Sequence, residues 1–276
     1  MYLLLKQNIK RLLTKKSTWI IFSIYIVLGI GNYLLIHSAN PFANPNFEFV
    51  TSFFEYFVMS QGGGSGFMFI VLPLLVTLST GGFFIEKRHS SILSYSLIRS
   101  NAGKYIRNEV LSTGITSFLF VFCAQTLLFA CSLFFSRIGV VDTTQGMIFF
   151  ATDLLYKAPL FYVLIIIVNS SLMAFFFSTF SICLSILFKN KYSAIMLPYV
   201  LLMGFSMVLM FLPFIFGLDA RVFYDYAPLI MAGDYISIDT YGWLVSAYWI
   251  AGNFFMYMIV SMVFKNTFRR EKLIIQ

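Results

Sequence analysis

The side chains that could carry chemistry in this chain are few and widely separated. Its only two histidines, His37 and His89, lie about fifty residues apart, and its three cysteines show no CxxC or Cys/His spacing. Such spacing is what predicts a metal site, so none is expected here. Neither HExxH, GxSxG nor GxxxxGK[ST] occurs. The sequence thus offers no nucleophile beside a base and no ATP site, and the chain is not expected to be an enzyme.

The composition indicates that most of the surface faces lipid. Of the 276 residues, 59% are hydrophobic and only 11% are charged. A soluble domain carries about 25% charged residues. The net charge of +8 therefore does not suggest nucleic acid as a partner. It raises the question of which side of a membrane the basic residues occupy.

Six runs of about 18 or more residues lack charge, which is close to the length needed to cross the hydrocarbon of a bilayer. Their apolar character is continuous and shows no two-residue alternation, so they are predicted to be helices and not barrel strands. The predicted spans are 19–36, 67–84, 111–135, 160–187, 194–218 and 243–264.

Residues 1–17 have the pattern of an amphipathic helix that lies on the membrane surface. Apolar side chains recur at helical spacing, and basic side chains flank them. Such a helix places its basic groups near anionic headgroups. A cleaved signal peptide is the alternative, but no small-x-small cleavage site follows the first apolar run. We expect the segment to be retained as an interfacial helix.

The basic residues predict the orientation of the six spans. Sixteen of the 19 Lys and Arg residues fall on the side of the N-terminus, in the N-terminal segment, 85–109, 188–193 and the C-terminus. This bias places both termini in the cytoplasm of a bacterial cell, with the chain in the cytoplasmic membrane. Residues 1–276 would form one transmembrane domain, with an outer hairpin at 217–242, between spans five and six.

A few polar residues lie inside the predicted spans, but no ionisable residue lies in the middle of one. Proton-driven transporters usually keep such groups at membrane depth, so ion coupling is disfavoured, although amides and hydroxyls could still hold Na⁺. The polar residues have two interpretations, hydrogen bonding between helices or the lining of a translocation path. The candidates for the lining are Gln125, Asn169, Asn253, Thr77 and Thr80.

The longest predicted cytoplasmic loop, 85–109, combines acidic, serine-rich and basic parts between two apolar runs. It begins with Glu86 at the membrane surface, continues with serines between apolar residues, and ends with basic residues. This mixture favours a short helix under the bilayer that offers a surface to a partner. This part of the chain resembles the link between spans two and three of bacterial ABC type-2 permeases. Its sequence is FFIEKRHSSILSYSLIRSNAGKYIRNEVL. The likeness lies in Glu86, Arg99, Tyr105, Ile106 and Arg107, and in the six-span layout.

The resemblance implies that a coupling helix docks on a separate ABC ATPase subunit, which would hold ATP and Mg. It also implies a second permease subunit, in a homodimer or a heterodimer, with the path between the two. The coupling residues would then be Glu86, Ser90, Ser91, Ile92, Leu93, Leu97, Arg99, Tyr105 and Arg107.

The family suggests export of a hydrophobic or amphipathic peptide, such as a bacteriocin or toxin, for secretion or self-immunity. Many Phe and Met residues could form adaptable apolar walls for such a substrate. Export of lipid, glycan, drug or ion remains open. A non-transporting membrane scaffold and a secondary transporter are the alternatives from other classes.

Overall fold

The computed structural model describes residues 2–39, 52–58, 60–61, 67–89, 102–135, 152–188, 190–217 and 238–275. Within these ranges every long element is an α-helix, and no strand occurs. The predicted all-helical class is therefore confirmed for the described part of the chain. In order, the helices are α1 (Tyr2–Thr14), α2 (Lys16–Ala39), α3 (Phe53–Val58), α4 (Phe67–His89), α5 (Ala102–Ser132), α6 (Thr152–Lys157), α7 (Pro159–Leu187), α8 (Lys191–Phe216) and α9 (Ile238–Ile275).

Four of these helices, α2, α5, α7 and α9, are long and apolar enough to cross a membrane by length and composition. They coincide with the first, third, fourth and sixth predicted spans, which supports a membrane protein. The second and fifth predicted spans coincide with helices α4 and α8. Their role as spans, the sidedness and the total of six stay predictions.

The predicted interfacial helix and the first predicted span form separate helices, and the break lies earlier than predicted. Helix α1 ends at Thr14, Lys15 is not helical, and α2 begins at Lys16. Side chains of α2 satisfy the last carbonyls of α1, because Thr18 Oγ1 donates to Leu12 O at 3.0 Å and Trp19 Nε1 to Leu13 O at 2.7 Å. These bonds replace the helical partners that the end of α1 lacks.

The ends of the predicted outer hairpin at 217–242 lie in the described part of the chain. Gly217 closes α8 with a φ of 63°, a left-handed conformation that suits glycine. Helix α9 begins at Ile238, five residues before the predicted start of the sixth span. Residues 218–237 lie outside the described residues, so the hairpin itself stays a prediction.

Helix α7 is the central helix and packs against α4, α5, α8 and α9. Small hydroxyl side chains let its neighbours approach closely. Five of the six donate to carbonyls within α7, and Ser181 Oγ donates to Ala194 O of α8 at 2.7 Å. Gly114 of α5 has the same effect, because a Cβ there would collide with the ring of Phe175. The buried hydroxyl residues of α7 are Ser170, Ser171, Ser178, Thr179, Ser181 and Ser185.

Candidate functional site

Five parts of the chain meet at one end of the bundle, which we call the charged end. They are the junction of α1 and α2, the last turn of α4, the first turns of α5, the end of α7 and the start of α8. Helices α4 and α7 end here while α5 and α8 begin here, so residues distant in sequence come together. The charged side chains that join them are Lys15, Glu86, Lys87, Arg88, Glu109 and Lys191.

Glu86 connects three of these parts. Its carboxylate accepts from Lys15 Nζ at 2.8 Å and from Lys191 Nζ at 3.0 Å. Partial burial alone would raise the pKa of Glu86, but the hydrogen bonds and charges of the two lysines outweigh it and hold that pKa below its ordinary value of 4.5. The carboxylate therefore stays ionised at neutral pH and ties α4 to the α1–α2 junction and to α8.

The Glu86 ion pairs are expected to stabilise the chain in a pH-dependent way. Because the folded-state pKa is lowered, the advantage over a Glu86→Gln variant should be present above pH 4.5 and lost as pH falls through the lowered pKa. The pairs are exposed, so the advantage should be about 1 kcal/mol or less. Thermal unfolding of both proteins in detergent across this pH range measures it. A difference that stayed constant down to the lowest pH would contradict the assignment.

Lys87 and Glu109 form a second ion pair, which is buried. Lys87 Nζ lies 2.6 Å from Glu109 Oε1, and the two side chains are only 5% and 2% exposed. Asn8 of α1 bridges them, since its Oδ1 accepts from Lys87 at 3.0 Å and its Nδ2 donates to Glu109 at 3.1 Å. The ammonium also lies 4.3 Å from the centre of the Phe83 ring, a cation–π distance. Burial lowers the pKa of Lys87, and the Glu109 carboxylate opposes that effect.

Arg88 completes the set by reaching the end of α7. Its Nη1 donates to Ile186 O at 3.1 Å. A cation at a helix C-terminus also interacts favourably with the helix dipole. Residues 86–88 at the end of α4 thus bind different neighbours. Glu86 binds the α1–α2 junction and α8, Lys87 binds α1 and α5, and Arg88 binds the end of α7.

The predicted coupling residues lie at and around this charged end. Glu86 lies at the charged end, and its side chain is 43% exposed. Tyr105 is buried and stacks on Phe264 of α9 with 6.1 Å between ring centres, so its ring packs inside the bundle. Arg107 is half-buried. Ser90, Ser91, Ile92, Leu93, Leu97 and Arg99 lie outside the described residues, and their role stays a prediction.

Sequence reasoning did not single out Asn8, Lys15, Lys87, Glu109 or Lys191. The signal that could have found the buried pair is its position. Lys87 follows the second predicted span and Glu109 precedes the third, so antiparallel packing of the two helices brings opposite charges together. The role of Asn8 had no comparable signal, because a surface helix can pack at many rotations.

Gln125, a predicted path residue, lies in a buried polar cluster away from the charged end. Its Nε2 donates to the Tyr25 hydroxyl at 2.7 Å and to Gln61 Oε1 at 2.8 Å. Nearby, Asn32 Nδ2 donates to Ser60 O at 2.9 Å. All five residues are buried. The cluster joins α2, α5 and residues 60–61.

The other two predicted path amides connect α7 to α9. Asn169 Oδ1 accepts from Ser246 Oγ at 2.7 Å, and Asn253 Nδ2 donates to Leu172 O at 3.0 Å. Each of the three amides keeps one buried atom without a partner among the described residues, namely Gln125 Oε1, Asn169 Nδ2 and Asn253 Oδ1.

Thr77 and Thr80, the remaining path candidates, are buried and donate to carbonyls of their own helix, to Leu74 O and Val76 O at 2.9 Å. Four of the five path candidates are therefore buried within this chain, with Asn253 half-buried. This burial favours a packing role, and the lining of a path stays a prediction.

Within the described residues, no group of three or more His, Cys, Asp or Glu side chains could hold a metal ion. The arrangement of the charged end supports a structural role, in which one part of the chain holds another in place. It joins the α1–α2 junction, α4, α5, α7 and α8 through ion pairs and hydrogen bonds. Comparison with protein-family models and with curated proteins finds no match to this chain.

Proposed function

We propose that this chain is the transmembrane permease subunit of an ATP-driven ABC exporter. In this proposal residues 85–109 receive a movement from a separate ATPase subunit that binds ATP and Mg. The path lies between this chain and a second permease subunit, in a bacterial cytoplasmic membrane with both termini inside the cell.

The observation that carries the proposal is that the charged end holds the last turn of α4 and the first turns of α5, the two helices that flank residues 90–101 in the sequence. This stretch follows α4 and precedes α5. Glu86 and Arg88 join the α4 end to the α1–α2 junction, α7 and α8, while the Lys87–Glu109 pair joins α4 to α5. A force on residues 90–101 would therefore act on most of the bundle, as a coupling element requires.

The absence of ionisable residues from the middle of the predicted spans supports an external energy source. A proton-coupled cycle needs a group that changes protonation at membrane depth. The buried Lys87–Glu109 pair lies at the end of the bundle, next to α1, and not halfway along it. The energy would therefore enter as a shape change imposed from the cytoplasm.

For the substrate we propose a hydrophobic or amphipathic peptide of the bacteriocin or toxin kind, exported for secretion or self-immunity. Exposed Phe and Met residues on α8 and α9 support an apolar cargo, since these side chains adapt to varied shapes.

The test is transport by proteoliposomes that contain this chain, its copurified ATPase and a hydrophobic peptide. Export is expected to continue when an uncoupler collapses the proton gradient while ATP is maintained. It should stop when the ATPase is catalytically inactivated. As a matched control, the inactive ATPase should still copurify with the chain.

Transport that stops with the uncoupler but persists without ATP would overturn the proposal and favour a secondary transporter. Failure of any ATPase to copurify, with no transport under either condition, would favour a non-transporting scaffold.

A further inference from the structure

Helix α1 packs one face against the bundle and carries positive charge on the other. Asn8, on the packed face, hydrogen-bonds both Lys87 and Glu109. Lys6 and Lys10 lie two residues before and two residues after Asn8, which places both of them on nearly the opposite side of the helix. They are four residues apart, so they are neighbours on that side. Both side chains are exposed.

The positive charge of this region has no acidic partner in the described part of the chain. No acidic residue precedes Glu48 in the sequence. At the charged end, Glu86 is already shared by two lysines, and Glu109 is buried against Lys87. The exposed cations of α1 and of the first turn of α2 that make no ion pair with a described residue form what we call the basic surface. They are Lys6, Lys10, Arg11 and Lys16.

The basic surface lies where a spanning helix begins. Helix α2 is long and apolar enough to cross a membrane, and it starts at Lys16, two residues after the end of α1. The first residues of a helix that crosses a bilayer lie among the lipid headgroups. Trp19, one turn further along α2, is exposed, as is typical of tryptophan at a membrane interface. Lipid headgroups are therefore the natural neighbours of this surface.

Helix α1 lies at the side of the bundle and not across its end. Asn8 reaches Glu109, which is seven residues into α5, about 10 Å from Ala102 along the helix axis. The third predicted span begins two residues later, at residue 111. Because the packed face of α1 looks towards α5, its opposite face looks away from the bundle. A soluble protein would meet the end of the bundle, whereas lipid surrounds its sides.

We propose that the basic surface binds anionic phospholipid headgroups and that this binding holds α1 over the buried Lys87–Glu109 pair. Basic side chains next to a span are attracted to anionic lipids by charge. Asn8 provides the link, because it bonds both members of the pair and belongs to the helix that carries Lys6 and Lys10. The charge of the lipid thus controls how firmly α4 and α5 are joined. This control goes beyond an interfacial position of α1 and does not depend on the exporter function.

The experiment measures amide hydrogen exchange of the full chain in vesicles of phosphatidylcholine alone and in vesicles that also contain phosphatidylglycerol. The amides of α1 and those of α5 around Glu109 are expected to exchange about tenfold more slowly with phosphatidylglycerol, which corresponds to about 1.4 kcal/mol against local opening. Combining Lys6→Gln with Lys10→Gln should abolish the difference between the two lipids. The matched control combines Lys104→Gln with Lys265→Gln, which removes the same charge from exposed positions on α5 and α9 and should leave the difference intact.

Lys10→Gln alone is a milder variant that should fold like the parent and keep part of the difference. Three results would overturn the proposal. They are equal exchange of the parent in the two lipids, an equal loss in the matched control, and slower exchange of α1 with no change around Glu109. Inorganic phosphate that slows exchange as much in phosphatidylcholine vesicles would assign the basic surface to a soluble anion. Slower exchange that requires an added ATPase would assign it to a protein, and either result would also overturn the proposal.

Discussion

Replacing Glu109 with alanine is expected to lower the free energy of unfolding by about 3–5 kcal/mol, because it leaves Lys87 buried without its carboxylate. The Lys87 side chain is 5% exposed, and its Nζ lies 2.6 Å from Glu109 Oε1. Asn8 Oδ1 also accepts from this ammonium, but it carries no charge. Unfolding in mixed micelles with increasing SDS would measure the loss for the full chain.

The double variant Lys87→Met with Glu109→Leu shows whether the loss comes from removing one member of the buried ion pair. Replacing a buried ion pair by apolar residues of similar size is often neutral or stabilising, so most of the loss should be recovered. Lys15→Ala is the matched control, since it breaks an exposed pair with Glu86 and should cost about 1 kcal/mol or less. If Glu109→Ala costs no more than Lys15→Ala, the pair is not buried as described.

Replacing Gln125 with leucine is expected to lower the free energy of unfolding by about 1–3 kcal/mol, because two hydrogen bonds at membrane depth are lost. The bonds go to Tyr25 and to Gln61, whose buried carbonyl loses that donor. The same SDS unfolding experiment measures this change. If the chain is the proposed exporter subunit and Gln125 acts in packing, transport per folded protein should remain at the parent level.

Thr126→Val is the matched control on the same helix. Its hydroxyl is exposed and donates only to Phe122 O of α5 at 2.7 Å, so its removal should change stability by less than about 0.5 kcal/mol. A Gln125→Leu protein that is as stable as the parent but exports a different range of substrates would contradict the packing role. That result would restore Gln125 to the lining of a path.

The sequence by itself determined the class of the protein and the positions of its long helices. Long apolar runs without charge need internal hydrogen bonding of the backbone in lipid, so they must be helices wherever they pack. The helical runs near 160–187 and 243–264 were predictable for this reason. Helices α7 and α9 of the structure contain them. The conclusion needs only local composition and requires no knowledge of neighbours.

Only the tertiary structure decided which polar groups meet. Lys87 is one of several basic residues in the 85–109 segment, and its burial against Glu109 and Asn8 depends on the rotation of α1, α4 and α5 about their axes. Gln61 likewise became a partner of Gln125 because of how residues 60–61 sit beside α5. Apolar composition is nearly uniform around these helices, so helix rotation and pairing are set by side-chain packing between elements far apart in the sequence.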